Sequence, residues 1–251
     1  VTNILAIDTA TSACSVALTN GDEILARHKL ASREHTQLLL PMVDDLLAEG
    51  GMTLSQIDVI AFTAGPGSFT GIRIGFGVVQ GLAFGAEIPV LPVSSLETLA
   101  HTAIRKLGLS SVFQFEAHKQ NIKLECNDLE IIPMLDARMD EIYWAQFRIE
   151  ADTPKNLQRV CTDSLSAPEE SCSKVNKFST VVVVGDGWNY SDRILLEPAI
   201  MDATLLPEAQ DILTIANPLI QAGKAIAIEQ ASPIYLRDKI TWKKRQKLRT
   251  A

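Results

Sequence analysis

Two distant stretches of the chain follow one order of residue types: apolar strand, aspartate, short polar turn, apolar strand. The first is ILAIDTATSACSVAL, from Ile4 to Leu18, and the second is IIPMLDARMDEIYWAQFRI, from Ile131 to Ile149. A further strand follows each of them. VIAFTAGPG at 59–67 and TVVVVGDG at 180–187 both run from an apolar strand into a glycine loop. The likeness is one of pattern, not identity. It predicts an α/β chain of two related halves, divided within 108–130.

The intervening segments agree. NGDE at 20–23 is a hairpin turn between CSVAL and ILARHKL. Leu38, Leu39, Met42, Val43, Leu46 and Leu47 recur at helical spacing, with Gly50 and Gly51 as the stop. Pro41 is expected to bend or divide that helix. Helices are also predicted over 69–84, 95–107 and 209–222, the last weakened by Pro218, with a strand over 89–93. Residues 110–130 read as an extended excursion. The expected organisation is a first lobe over 1–108, carrying the main interface, and a second over 109–251 that ends in a basic tail.

With 251 residues, 47% of them hydrophobic, the chain can bury a full core. The net charge of −7 is uneven, because Arg237–Thr250 holds seven basic residues against one acid. The acidic body argues against a broad nucleic-acid surface, while the tail is either a solvated end or a local nucleic-acid contact. Cysteines 14, 126, 161 and 172 form no CxxC pair, which favours a reducing compartment. The start VTNILAID has no leader pattern, and no uninterrupted apolar stretch is of spanning length. The expectation is a cytoplasmic protein with no membrane partner.

Seven of the 14 glycines lie in one run, TAGPGSFTGIRIGFGVVQGLAFG, from Thr63 to Gly85. It is not a Walker A loop, since no lysine follows Gly71, and not a dinucleotide fingerprint, since Thr70 stands where a glycine is required. GPGSFTG either offers amides to an anion or makes a tight strand-to-helix turn. Within the helix each glycine costs about 1 kcal/mol against alanine, a cost accepted where another backbone must come close. The spacing of four between Gly71 and Gly75, and again through Gly77, Gly81 and Gly85, suits such an approach. Ile72, Gly75, Phe76, Val79 and Gly81 are the candidate protein-interface residues.

No catalytic constellation is legible. Ser68 is not in a GxSxG elbow, Cys14 lies in an apolar strand, and His35 stands alone in REHTQ as a surface or capping residue. His28, His101 and His118 are isolated, and HxxxH is absent, so no metal site is expected. Asp8 and Asp136 end matching strands, as holders of a hydrated cation or as turn caps. The sequence assigns no catalytic residue and leaves any cofactor site unknown.

IDTAT, REHTQLLLP, TAGPGSFTGIRIG, VLPVSSLETLA, MLDARMDEIYWA and SPIYLRD together resemble the bacterial TsaB (YeaZ) family across nearly all of the chain. Residues 110–130 fit it less well. The resemblance implies an actin-like, sugar-kinase-like fold of two lobes. It also implies a paralogue of the catalytic subunit TsaD, which moves threonylcarbamoyl to adenosine 37 of tRNAs reading ANN codons. Where that relative carries an HxxxH metal pair, this chain has Ser95 and Leu99. Ser12 and Ala13 stand where the relative carries acidic residues. A non-catalytic scaffold is therefore implied, with no cofactor of its own and with ATP or ADP and metal on partner subunits. The implied partners are TsaD, the ATPase TsaE, a second copy of the chain when alone, and tRNA through the complex. The competing readings are an independent actin-fold enzyme, either a small-molecule kinase or a peptidase, and a free-standing RNA-binding protein.

Overall fold

The computed structural model describes residues 2–20, 23–31, 33–109, 129–149, 157–172, 175 and 180–237. The excursion expected at 110–130, all but its last two residues, and the basic tail after Arg237 lie outside them. The first half runs β1 (Ile4–Asp8), β2 (Ala13–Asn20), β3 (Glu23–Leu30), α1 (His35–Glu49), β4 (Val59–Gly65), α2 (Phe69–Ala86), β5 (Val90–Ser94) and α3 (Ser95–Lys106). The second runs β6 (Leu129–Arg138), β7 (Glu141–Ile149), β8 (Leu157–Ser166), β9 (Thr180–Val184), β10 (Ile200–Asp202) and α4 (Ala209–Gln221).

The repeat seen in the sequence becomes a repeat of sheet topology. The first sheet has the order β3-β2-β1-β4-β5 and the second β10-β9-β6-β7-β8. In both, an antiparallel three-strand meander is extended by two parallel strands on the other side of its first strand.

Period-two alternation explains how the first sheet is covered on both faces. Leu5 and Ile7 point to the side of α1 and α2, where they meet Leu39, Val43, Leu46, Val79 and Ala83. Ile4 and Ala6 point the other way, with Ala17 and Ala61, onto Ile212, Leu213 and Ala216 of α4. The second sheet takes Leu96, Leu99, Ala100 and Ala103 of α3 against Ile131, Leu135, Phe147 and Val182. Each half thus lends a helix to the other half's sheet. The two lent helices are joined by Asp211, which accepts from Thr102 Oγ1 at 2.7 Å and from Arg105 Nε at 2.8 Å, while Arg105 also reaches Glu208 at 2.6 Å.

Three features refine these expectations. Of the two outcomes expected at Pro41, division does not occur: α1 is continuous, and Pro41 is exposed, so the carbonyl it leaves unbonded lies on the solvent side. The glycine loop at 185–187 opens a 3₁₀ segment, Asp186–Arg193, so no counterpart of α2 follows β9 among the described residues. Finally, α2 is, among the described residues, the one helix long and apolar enough by length and composition to cross a membrane, and Thr70, Arg73 and Gln80 interrupt its apolar run. Its inner stripe is held in the core of the first sheet.

Candidate interaction site: a two-faced glycine helix beside a cleft

The glycine run packs against the β1–β2 turn. A methyl group on Gly67 would strike the carbonyl oxygen of Ala10, one on Gly71 that of Thr9, and one on Gly75 the Thr9 hydroxyl. Only glycine lets these two backbones touch. Hydrogen bonds fix the contact: Ser68 N donates to Ala10 O at 2.7 Å, and Thr9 Oγ1 donates to Gly71 O at 2.8 Å. Ser68 also caps α2 by accepting from Gly71 N at 3.2 Å. The loop thus makes a tight strand-to-helix turn.

Gly75 and Gly77 are two residues apart, a rotation of about 200° on a helix. The second glycine series therefore faces away from the first. A side chain at Gly77, Gly81 or Gly85 would meet nothing within 4 Å. Thr70, Arg73, Gln80 and Phe84 share this exposed side, with Phe84 72% exposed. The candidate interface set divides accordingly. Ile72, Gly75 and Val79 are buried inside the chain, Phe76 is half-buried against the Phe62 ring, and Gly81 lies on the open face. Gly77 and Gly85, whose spacing suited close approach, and Phe84 continue that face but were not in the candidate set.

Beside the N-terminal end of α2 is a cleft of about 440 Å³ lined by both hairpin turns, the glycine loop, Tyr235 and Arg237. Four of the turn amides donate to the chain's own acceptors. Ala10 N donates to Asp8 Oδ1 at 3.2 Å, Ala13 N to Thr11 Oγ1 at 3.3 Å, Asp136 N to Asp186 Oδ1 at 2.9 Å and Arg138 N to Asp136 Oδ1 at 2.7 Å. Asp8 and Asp136 are thus turn caps. Gly185 and Gly187 serve close packing on Met134. The SPIYLR segment straps the cleft: Ile234 N donates to Ala64 O at 2.8 Å, and Arg237 donates to the carbonyls of Ala137 and Arg138 and pairs with Glu141. At its rim Arg73 stacks on Phe69, 3.8 Å from the ring centroid, and donates to Tyr235 Oη at 3.1 Å.

Asp8 is fully buried. Its Oδ1 also accepts from Thr63 Oγ1 at 2.6 Å, and its Oδ2 has no partner. Burial pushes the carboxyl up to about 7, against the pull of its two donors. His35 is buried, not on the surface, and its Nε2 lies 3.1 Å from the carbonyls of both Thr11 and Ala13, so it braces the same turn. Cys14 is core, as expected, and burial pushes its thiol up to about 12. Ser95 and Leu99 have no exposure, and Leu99 lies in the α3 core cluster. No group of three or more His, Cys, Asp or Glu side chains able to hold a metal occurs among the described residues.

Two meander-plus-parallel sheets, repeated about a cleft formed by their matching turns, define the actin-like, sugar-kinase-like class of α/β proteins. Comparison narrows the class. A family model described as TsaD, tRNA N6-adenosine threonylcarbamoyltransferase, matches residues 24–244. The chain is 40% identical over 245 residues to the tRNA threonylcarbamoyladenosine biosynthesis protein TsaB of Escherichia coli (strain K12), covering 96% of this chain and 97% of that one. With TsaB of Haemophilus influenzae it shares 35% identity over 246 residues and 96% of each chain. The solved structure of YeaZ from Pseudomonas aeruginosa, 38% identical, matches with a TM-score of 0.81 over 94% of this chain and 100% of that chain. The chain belongs to the TsaB family.

Two predictions follow from this geometry. Gly71→Ala and Gly75→Ala should each lose about 1–3 kcal/mol of stability in chemical denaturation, because the added methyl has no room. Gly81→Ala should gain up to about 1 kcal/mol from helix propensity alone; the reverse ranking would contradict the two-faced helix. For Asp8, the folded carboxyl holds its proton to higher pH than the unfolded one, whose ordinary value is 3.8. Between these values the folded state binds more protons, so stability falls as pH rises from about 4 to about 7 and then levels off. Asp8→Asn should remove that slope, worth about 4 kcal/mol at most. Parallel pH profiles for the two proteins would rule this out.

Proposed function

We propose that the chain is a non-catalytic scaffold and activator of the assembly that forms N6-threonylcarbamoyladenosine at position 37 of tRNAs reading ANN codons. The observation that carries this reading is the fate of the two positions at which the catalytic relative bears its HxxxH pair. Ser95 is sealed at the start of α3, and the Leu99 side chain is part of the apolar layer between α3 and the second sheet. Leucine offers no lone pair to a cation, and a buried neutral hydroxyl is a poor ligand.

The cleft supports the same reading. Phosphate binding by backbone needs free amides, and four in the two turns are already bonded to Asp8, Thr11, Asp186 and Asp136. On this account nucleotide and metal belong to the partner subunits. An independent kinase or peptidase of this fold is not favoured: Ser68 is spent as a helix cap, and Cys14 is buried with its thiol held protonated.

What the chain offers a partner is the open side of α2, where Gly77, Gly81 and Gly85 let another helix come close. In the proposal this face receives either TsaD or a second copy of the chain, TsaE completes the assembly, tRNA is met through the complex, and the setting is the cytoplasm. Reconstitution tests the proposal. With threonylcarbamoyl-adenylate and tRNA supplied, the purified chain alone should transfer nothing, and adding it to TsaD and TsaE should raise transfer well above their level without it. Modified tRNA from the chain alone would overturn the proposal.

A further inference from the structure

A continuous chain of hydrogen bonds leads from a buried acid to the start of α2. Asp8 Oδ1 accepts from Ala10 N; the carbonyl of Ala10 accepts from Ser68 N, and Ser68 Oγ accepts from Gly71 N. The neighbouring Thr9 hydroxyl closes the circuit on Gly71 O. No slack exists along this path, since Gly67, Gly71 and Gly75 already touch the turn where any side chain would collide. A small movement of the turn must move the first half of α2 or break its cap.

Asp8 has reason to move the turn. Both of its donors reach Oδ1, while Oδ2 is buried and unpartnered. A protonated carboxyl tolerates this; an ionised one, with an oxygen that accepts nothing, does not. Ala10, Thr11 and Ser12, the turn that follows Asp8, line the cleft, and Ser12 is exposed. The surrounding groups give the charge no relief. On β2, Cys14 is held as a neutral thiol and the Ser15 hydroxyl accepts from Ala209 N. On β4, Thr63 is already donating. His35 of α1 is committed to the Thr11 and Ala13 carbonyls. Arg73 of α2 faces outward to Phe69 and Tyr235. On α3 and α4, Arg105 is committed to Glu208 and Asp211, Lys106 to Glu208, and burial keeps His101 toward its neutral form.

We propose that Asp8 is a proton switch for the N-terminal half of α2: the neutral acid seats the β1–β2 turn under Gly67, Gly71 and Gly75, and ionisation releases that seat. The C-terminal half of α2 is held by Val79 and Ala83 in the core and does not respond. The device sits in the chain itself, so it is tested without any partner.

The experiment is hydrogen exchange read by mass spectrometry on the full chain between pH 5.5 and 8.5, corrected for intrinsic exchange. Across that range peptides from 68–77 should lose protection by about tenfold or more beyond the loss shown by peptides from 78–86, which report only the change in global stability. Asp8→Asn should hold 68–77 constant. Thr63→Val, which removes a donor that favours the carboxylate, should move the transition to higher pH. It also covers the case in which Asp8→Asn does not fold. A response of equal size in both halves of α2, or an unchanged response in Asp8→Asn or Thr63→Val, would overturn the proposal.

Discussion

The backbone contact between the β1–β2 turn and the loop that enters α2 governs the rest of this structure. Three residues of the glycine run stand where a single added carbon would meet Ala10 or Thr9. That contact brings α2 down onto the first sheet, sets Val79 and Ala83 into its core and draws the glycine loop to the edge of the cleft. It also decides which side of α2 is left over. Because Gly77, Gly81 and Gly85 are out of phase with Gly67, Gly71 and Gly75, the exposed side sets glycines among Thr70, Arg73 and Gln80, and it ends in the exposed ring of Phe84. One helix thus makes a close internal contact and keeps a second surface of the same kind free.

The matching turns of the two halves face a common cleft, where Asp8, Asp136 and Asp186 accept from turn amides. Arg237 and Ile234 close the opening from the C-terminal side. The exchange of α3 and α4 between the sheets, locked by Arg105 and Asp211, makes one body of the two halves.

Much of this was legible in the sequence. β1, β2, β4, β6, β7 and β9 are short apolar runs closed by Asp, Gly or polar turns, and the repeat of that pattern predicted the repeat of topology. β8 was not legible, because LQRVCTDSLS lies at a sheet edge with neither side fully buried and so has no clean alternation. β10 is three residues long and exists only by pairing with β9. The orientation of α2 was only half legible: Thr70, Arg73 and Gln80 recur at helical spacing and mark the outer side, but glycines stand on both faces, so which of them meet the chain's own backbone could not be read. His35 was hidden for a different reason: its polar neighbours in REHTQ suggest a surface, and only the fold brings the Thr11 and Ala13 carbonyls to it.

If the open face of α2 is the docking surface, one substitution there should separate association from stability. The direct measurement is sedimentation of the chain at concentrations that populate its homodimer, with TsaD titrated in, for the natural sequence and for Gly81→Leu. The account predicts that TsaD dissolves the natural homodimer, since both use one face. It also predicts that Gly81→Leu weakens both associations about tenfold or more without lowering the unfolding midpoint of the monomer, which helix propensity should raise slightly. A folded Gly81→Leu chain that forms both assemblies as tightly as the natural one would contradict it.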